Sequence, residues 1–131
     1  MSGRTIELEA ADGHRPTAYC AVPDAPKGAI VLAQEVFGIT AHVRGICDDY
    51  AAHGFLAIAP ALYDRVEPGI ELKPNEEDRL RGNELRKLIS WGNILDDVAA
   101  ARTVARRAGR VGIVGFCLGA DIAWAGACLL G

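Results

Sequence analysis

The chain has 131 residues, half of them apolar and 24% charged, with 14 basic against 17 acidic residues and a formal net charge of −3. This is the composition of one soluble globular domain, residues 1–131, long enough to bury roughly two-thirds of its unfolded-chain surface without metals or disulfide staples, and it excludes disorder, collagen and coiled coil. The acidic balance, with no basic stripe interleaved with aromatics, also speaks against a nucleic-acid partner.

In chain order, Ile6 and Leu8 alternate with polar neighbours, Asp12 and Gly13 mark a turn, and residues 17–22 read as a strand, so an opening β-hairpin is expected. After a loop bearing Pro23, Pro26 and Gly28, residues 29–33 form a short apolar run of the kind buried on both faces of a sheet. Thr40 can cap a helix that ends near His53, with Val43, Ile46, Cys47 and Tyr50 inward and Gly54 as its left-handed stop. Residues 55–59 give another buried strand. The stretch 60–74 holds Pro60, Pro68, Gly69 and Pro74 and is expected to be a long loop.

Asn75, followed by Glu76, Glu77 and Asp78, starts a helix with Leu80, Leu85, Leu88 and Ile89 as its apolar positions. A break is expected at Trp91-Gly92-Asn93. A further helix from Ile94 would bury Leu95, Val98, Ala99, Val104 and Ala105 and end at Gly109. Residues 111–114 read as a third buried strand and 118–130 as a closing helix through Ile122, Ala123, Ala127 and Leu130. A hairpin followed by alternating strands and helices implies an α/β fold, a mostly parallel sheet with flanking helices.

No apolar run approaches the about 20 residues of a membrane span, and the first residues lack the charged and apolar regions of a secretory leader, so a cytoplasmic protein is expected. Cys20, Cys47, Cys117 and Cys128 form no Cys-x-x-Cys pair and no zinc-type cluster with histidine. They read as independent thiols, with no metal and no cofactor expected.

One of them stands apart. Gly115-Phe116-Cys117-Leu118-Gly119 falls where the third buried strand meets the last helix, a G-x-nucleophile-x-G turn with cysteine at its centre. Flanking glycines let a strand reverse sharply into a helix and push the central side chain out at the sheet's carboxyl edge. There the helix N-terminal amides favour negative charge on sulfur and on a developing oxyanion. The plainer alternative is a small buried hydrophobe between packing glycines.

On these residues, together with Gln34-Glu35-Val36-Phe37-Gly38 after the first buried strand and Pro60-Ala61-Leu62-Tyr63 after the next, the chain resembles the dienelactone hydrolase family of the α/β-hydrolase fold. The resemblance covers essentially the whole chain and implies the N-terminal part of that fold, without its later strands. It implies a carboxymethylenebutenolidase-type hydrolase of small anionic lactones or esters, as used in degrading aromatic compounds. Cys117 would be the nucleophile, the backbone N–H groups of Leu118 and Val36 the oxyanion hole, and Glu35 a partner of the resting thiol. Arg81, or Arg79, would hold the substrate carboxylate through a guanidinium fork, the alternative being a surface ion pair with Glu77. Phe37 would contact the substrate, and Tyr63 would line the pocket or simply pack. Ala61 and Ala120 stand where the family tends to have Asp and Gly.

The α/β-hydrolase order is nucleophile, acid, histidine, yet after Cys117 come only one acid, Asp121, and no histidine. His14, His42 and His53 precede the nucleophile, and only His42, at the start of its helix, is placed to approach it. Ending here would also leave the elbow strand at the sheet edge, a template for pairing with another chain. The expectations are therefore a piece of a longer protein, a short form that dimerises through this edge, or a non-catalytic interaction module.

Overall fold

The structure, a computed structural model, describes residues 3–130. Its strands are β1 (Arg4–Glu7), β2 (Thr17–Ala21), β3 (Ala29–Ala33), β4 (Leu56–Pro60) and β5 (Val111–Gly115), and its helices α1 (Ala41–Ala52), α2 (Glu76–Lys87), α3 (Trp91–Ala105) and α4 (Leu118–Leu130). They form one five-stranded sheet in the order β1-β2-β4-β3-β5. The expected hairpin adds antiparallel to a parallel β4-β3-β5 unit, because β2 also runs antiparallel to β4. The α/β architecture with flanking helices is as the sequence implied.

Strand alternation sorts side chains into two layers. Val31, Ala33, Leu56 and Ile58 join Ile94, Val98, Ala101 and Ile122 of α3 and α4, whereas Leu32, Ala57 and Ala59 join Val43, Cys47 and Ala51 of α1. Helix ends follow local chemistry. The Thr40 hydroxyl accepts from the Val43 amide and the Asn75 carboxamide oxygen from the Asp78 amide, each satisfying an otherwise orphaned donor. Gly54, at φ 94°, ends α1 as expected.

Three expectations need correction. Trp91-Gly92-Asn93 is no break: the Ser90 hydroxyl accepts from the Asn93 amide and caps α3, which begins at Trp91. The chain breaks just before, after Lys87. Leu80 and Leu88 are exposed, because α2 meets the core only through Gly82 and Leu85, with Ile89 just past its end. The 60–74 stretch is not wholly irregular, since residues Leu62–Arg65 form a 3-10 turn.

That turn is tied down by charge. Arg65 donates to both carboxylate oxygens of Asp97, at 2.8 and 2.9 Å, and to Asp12 at 2.7 Å. Asp64 accepts from the Thr17 amide and hydroxyl and from the Gly69 amide, closing the loop on β2.

The sheet order also places a crevice. After β3 the chain turns to α1 on one face, and after β5 it turns to α4 on the other, although β3 and β5 are neighbours. Diverging loops at the carboxyl ends of adjacent parallel strands leave the gap in which α/β proteins bind ligands.

Candidate active site

The turn after β5 is built by two glycines. A Cβ on Gly115 would run into the Gly119 carbonyl, and one on Gly119 would meet the carbonyl of Ala33 and, at 2.9 Å, that of Gln34. Only hydrogen at these positions allows α4 to start directly against the end of β3. Between them Cys117 adopts φ 58°, the one non-glycine residue at positive φ among the described residues. That left-handed conformation costs a residue with Cβ about 1–2 kcal/mol, so the surroundings must enforce it. Its side chain is exposed rather than packed in hydrocarbon. The Gly119 and Ala120 amides bond back to the carbonyls of Phe116 and Cys117.

The loop after β3 leaves the neighbouring strand at the same edge of the sheet. Ala33 pairs with Gly115 in the parallel register, so Glu35 and Cys117 each sit two residues beyond a paired position. Glu35, Val36 and Phe37 are half-buried, Phe37 packing against the main core. The Gly38 amide donates to the Glu35 carbonyl at 3.2 Å. Loop and turn hydrogen bonds among the described residues use the amides of Gly38, Gly119 and Ala120 but neither that of Val36 nor that of Leu118.

Beneath this loop Gln34 is fully buried. Its carboxamide oxygen accepts from the Leu62 amide at 2.9 Å and its nitrogen donates to the Glu35 carbonyl at 3.2 Å. Tyr63 is 2% exposed, and its hydroxyl lies 2.9 Å from the Val36 carbonyl and 3.1 Å from that of Gly82. Burial pushes the phenol up to about 12, with the Arg86 charge acting in the opposite sense, so at neutral pH the hydroxyl keeps its proton and donates. A Cβ on Gly82 would overlap the Val36 carbonyl, so α2 lies directly against the loop. Gln34 stands in the Gln34-Glu35-Val36-Phe37-Gly38 motif, which by itself points to no role for it. The available signal was an amide directly after an apolar strand, where a buried polar group must find partners.

The remaining candidates are dispersed. Arg81, beside Gly82 on α2, is exposed and pairs with Glu67 at 3.1 Å rather than with Glu77, while Arg79 pairs with Glu76 within the helix. His42 is exposed on the first turn of α1, His53 caps that helix at the opposite end, and His14 lies in the hairpin turn. Asp121 is exposed on α4. Cys20 and Cys47 are buried. Burial pushes both thiols up, Cys47 to about 12 with help from Asp48, so neither offers a thiolate near neutral pH. No described helix is long and apolar enough to cross a membrane.

A left-handed cysteine between glycines at a strand-to-helix junction, on the parallel part of a mixed sheet covered by helices on both faces, is the elbow architecture of an α/β hydrolase. Comparison with known proteins narrows this class. The dienelactone hydrolase family model matches residues 17–130. The chain is 35% identical over 125 residues to a carboxymethylenebutenolidase of Pseudomonas putida, covering 91% of this chain and 53% of that protein. It is 34% identical over 125 residues to carboxymethylenebutenolidase 1 of Cupriavidus pinatubonensis, with the same coverage of 91% and 53%. A crystal structure of a candidate dienelactone hydrolase from Klebsiella pneumoniae superposes with a TM-score of 0.78 at 29% identity, covering 98% of this chain and 56% of that one. The chain belongs to the dienelactone hydrolase family, and it spans about half the length of the curated relatives it matches.

Proposed function

We propose that the chain carries the nucleophile and oxyanion machinery of a cysteine hydrolase acting on small anionic lactones or esters. The observation that carries this reading is the exposed Cys117, held at φ 58° where the loop after β3 faces the elbow in register. Sulfur attacks the ester carbonyl, and the oxygen that gains negative charge accepts from the Val36 and Leu118 amides, fixed donors that need no reorganisation as charge develops. Collapse breaks the carbon–oxygen bond to give a thioester and an alcohol, which takes up the proton released by the thiol. For a lactone, both products stay joined as one ring-opened acyl chain. Glu35 attends the resting thiol, and Arg81 exchanges Glu67 for the carboxylate of the substrate. An exposed ion pair is weak, of the order of 0.2–1 kcal/mol, so that exchange meets little resistance.

Water must then cleave the thioester, and this step needs a base. None of residues 118–131 is a histidine, so in a protein made of these 131 residues alone acylation is expected to outrun deacylation. With a p-nitrophenyl ester the wild type is expected to release a burst approaching one equivalent of nitrophenolate and to gain one acyl group by mass. Cys117→Ala is expected to show neither. Equal release by both would remove the hydrolase reading.

A second reading is favoured by one observation: among the described residues β5 is bonded to β3 alone and lies at the sheet edge. We propose that this edge pairs with a second copy of the chain, which would serve a non-catalytic interaction module as well as an enzyme. Native mass tests it. A monomer at micromolar concentration would count against pairing.

A further inference from the structure

The amide of Val36 belongs to the same peptide group as the carbonyl of Glu35, and a planar trans peptide points its N–H opposite to its C=O. Whatever holds the Glu35 carbonyl therefore aims the Val36 N–H. Two donors hold it, the Gly38 amide and the Gln34 carboxamide, each at 3.2 Å. The next peptide is held as well, since the Val36 carbonyl accepts from the Tyr63 hydroxyl at 2.9 Å. Both side chains lead to one place. Gln34 also accepts from the Leu62 amide at 2.9 Å, and Tyr63 is the following residue of the 3-10 turn after β4.

We infer that Gln34 and Tyr63 are positioning residues, which lock the Val36 amide toward the Cys117 crevice by tying both peptides that flank Val36 to the Leu62-Tyr63 turn. The inference rests on the proposal that Val36 donates to the oxyanion. Both side chains are almost fully buried, and each spends its hydrogen bonds on backbone groups of the loop and turn. A backbone donor on a short loop would otherwise sample several directions, and oxyanion stabilisation depends on donors fixed before charge develops. α2 closes the arrangement from the outside, with Gly82 against the Val36 carbonyl.

The test separates aim from general integrity by comparing two reactions of one sulfur. Acylation by p-nitrophenyl acetate passes through an oxyanion. Alkylation by iodoacetamide displaces iodide at a saturated carbon and forms none. Both are followed at Cys117 by peptide mass, because Cys128 is exposed too. Tyr63→Phe and Gln34→Met are expected to slow acylation roughly tenfold to a hundredfold, as a misplaced donor does, and to leave alkylation within about twofold of wild type. Should Gln34→Met not fold, Tyr63→Phe, which removes a single oxygen, decides alone. Unchanged acylation, or equal slowing of both reactions, overturns the inference while leaving the nucleophile intact. A wild type that alkylates but never acylates overturns the hydrolase reading itself and this inference with it.

Discussion

Gly119→Ala is expected to destabilise the protein by about 3 kcal/mol and to slow acylation of Cys117 by roughly a hundredfold. The added methyl group would overlap the carbonyls of Ala33 and Gln34. Both are backbone atoms at the end of β3, which is bonded on one side to β4 and on the other to β5, so they cannot swing aside as a side-chain tip would. Overpacking of this kind typically costs 1–3 kcal/mol, and rigid neighbours put it at the upper end. Relief by moving α4 outward would carry Cys117 with it, and a displacement near 1 Å is enough to cost two orders of magnitude in rate. Gly112→Ala is the matched control. A Cβ there meets only Ile30 Cδ1 at 3.5 Å, ordinary contact distance, so stability should change little. Urea titration and the nitrophenolate burst read both effects. Equal behaviour of the two variants would mean that the elbow is not built by steric exclusion.

Arg65→Met is expected to cost about 3–5 kcal/mol, the usual consequence of leaving one member of a buried ion pair behind. Asp97 is fully buried and Arg65 is 10% exposed at its side chain, whereas Asp12, the other partner, is 40% exposed. The damage therefore comes from Asp97, stranded inside α3 and facing the core. Burial pushes the Asp97 carboxyl up while the guanidinium pulls it back. Without Arg65 the upward push of burial dominates, opposed only by the smaller influence of His14, so the variant relieves itself by taking up a proton, and its deficit should be smaller at pH 4 than at pH 7. Asp12 is shifted the other way, with the same consequence for the comparison. Arg65 holds it down to about 2 from an ordinary value of 3.8, so its contribution is complete above pH 4 and fades as the pH falls toward 2. Urea midpoints of wild type and variant between pH 7 and pH 3 should converge. Adding Asp97→Leu to Arg65→Met should recover much of the loss, because an apolar pair removes the stranded charge.

Local signals were dependable where one or two residues fix the backbone. Thr40, Asn75 and Gly54 end or begin helices through their own side chain or its absence, at the positions the sequence implies. The α3 boundary went astray because two local signals competed. Gly92 tolerates the first turn of a helix once the Ser90 hydroxyl has satisfied the Asn93 amide, so the cap outweighed the apparent breaker. Leu80 and Leu88 misled for a different reason: helical periodicity gives a face but not how much of it has something to cover it. Asp97 was legible in principle, a charge in the inward stripe Ile94, Asp97, Val98, Ala101 that demands a cation.

By itself the sequence determined the strand and helix succession, the α/β class, the glycine-bounded cysteine and the family. These depend on neighbours a few residues apart, whose sterics and capping act in any context. The tertiary structure decided that β3 lies between β4 and β5, that the loops at Glu35 and Cys117 therefore leave the ends of neighbouring strands, and that Gln34, Tyr63 and Arg65 hold that end of the sheet. Those contacts join residues 27 to 32 positions apart. Such pairings follow from strand order, which is set by how the whole apolar surface is shared between two helical layers and not by any local pattern.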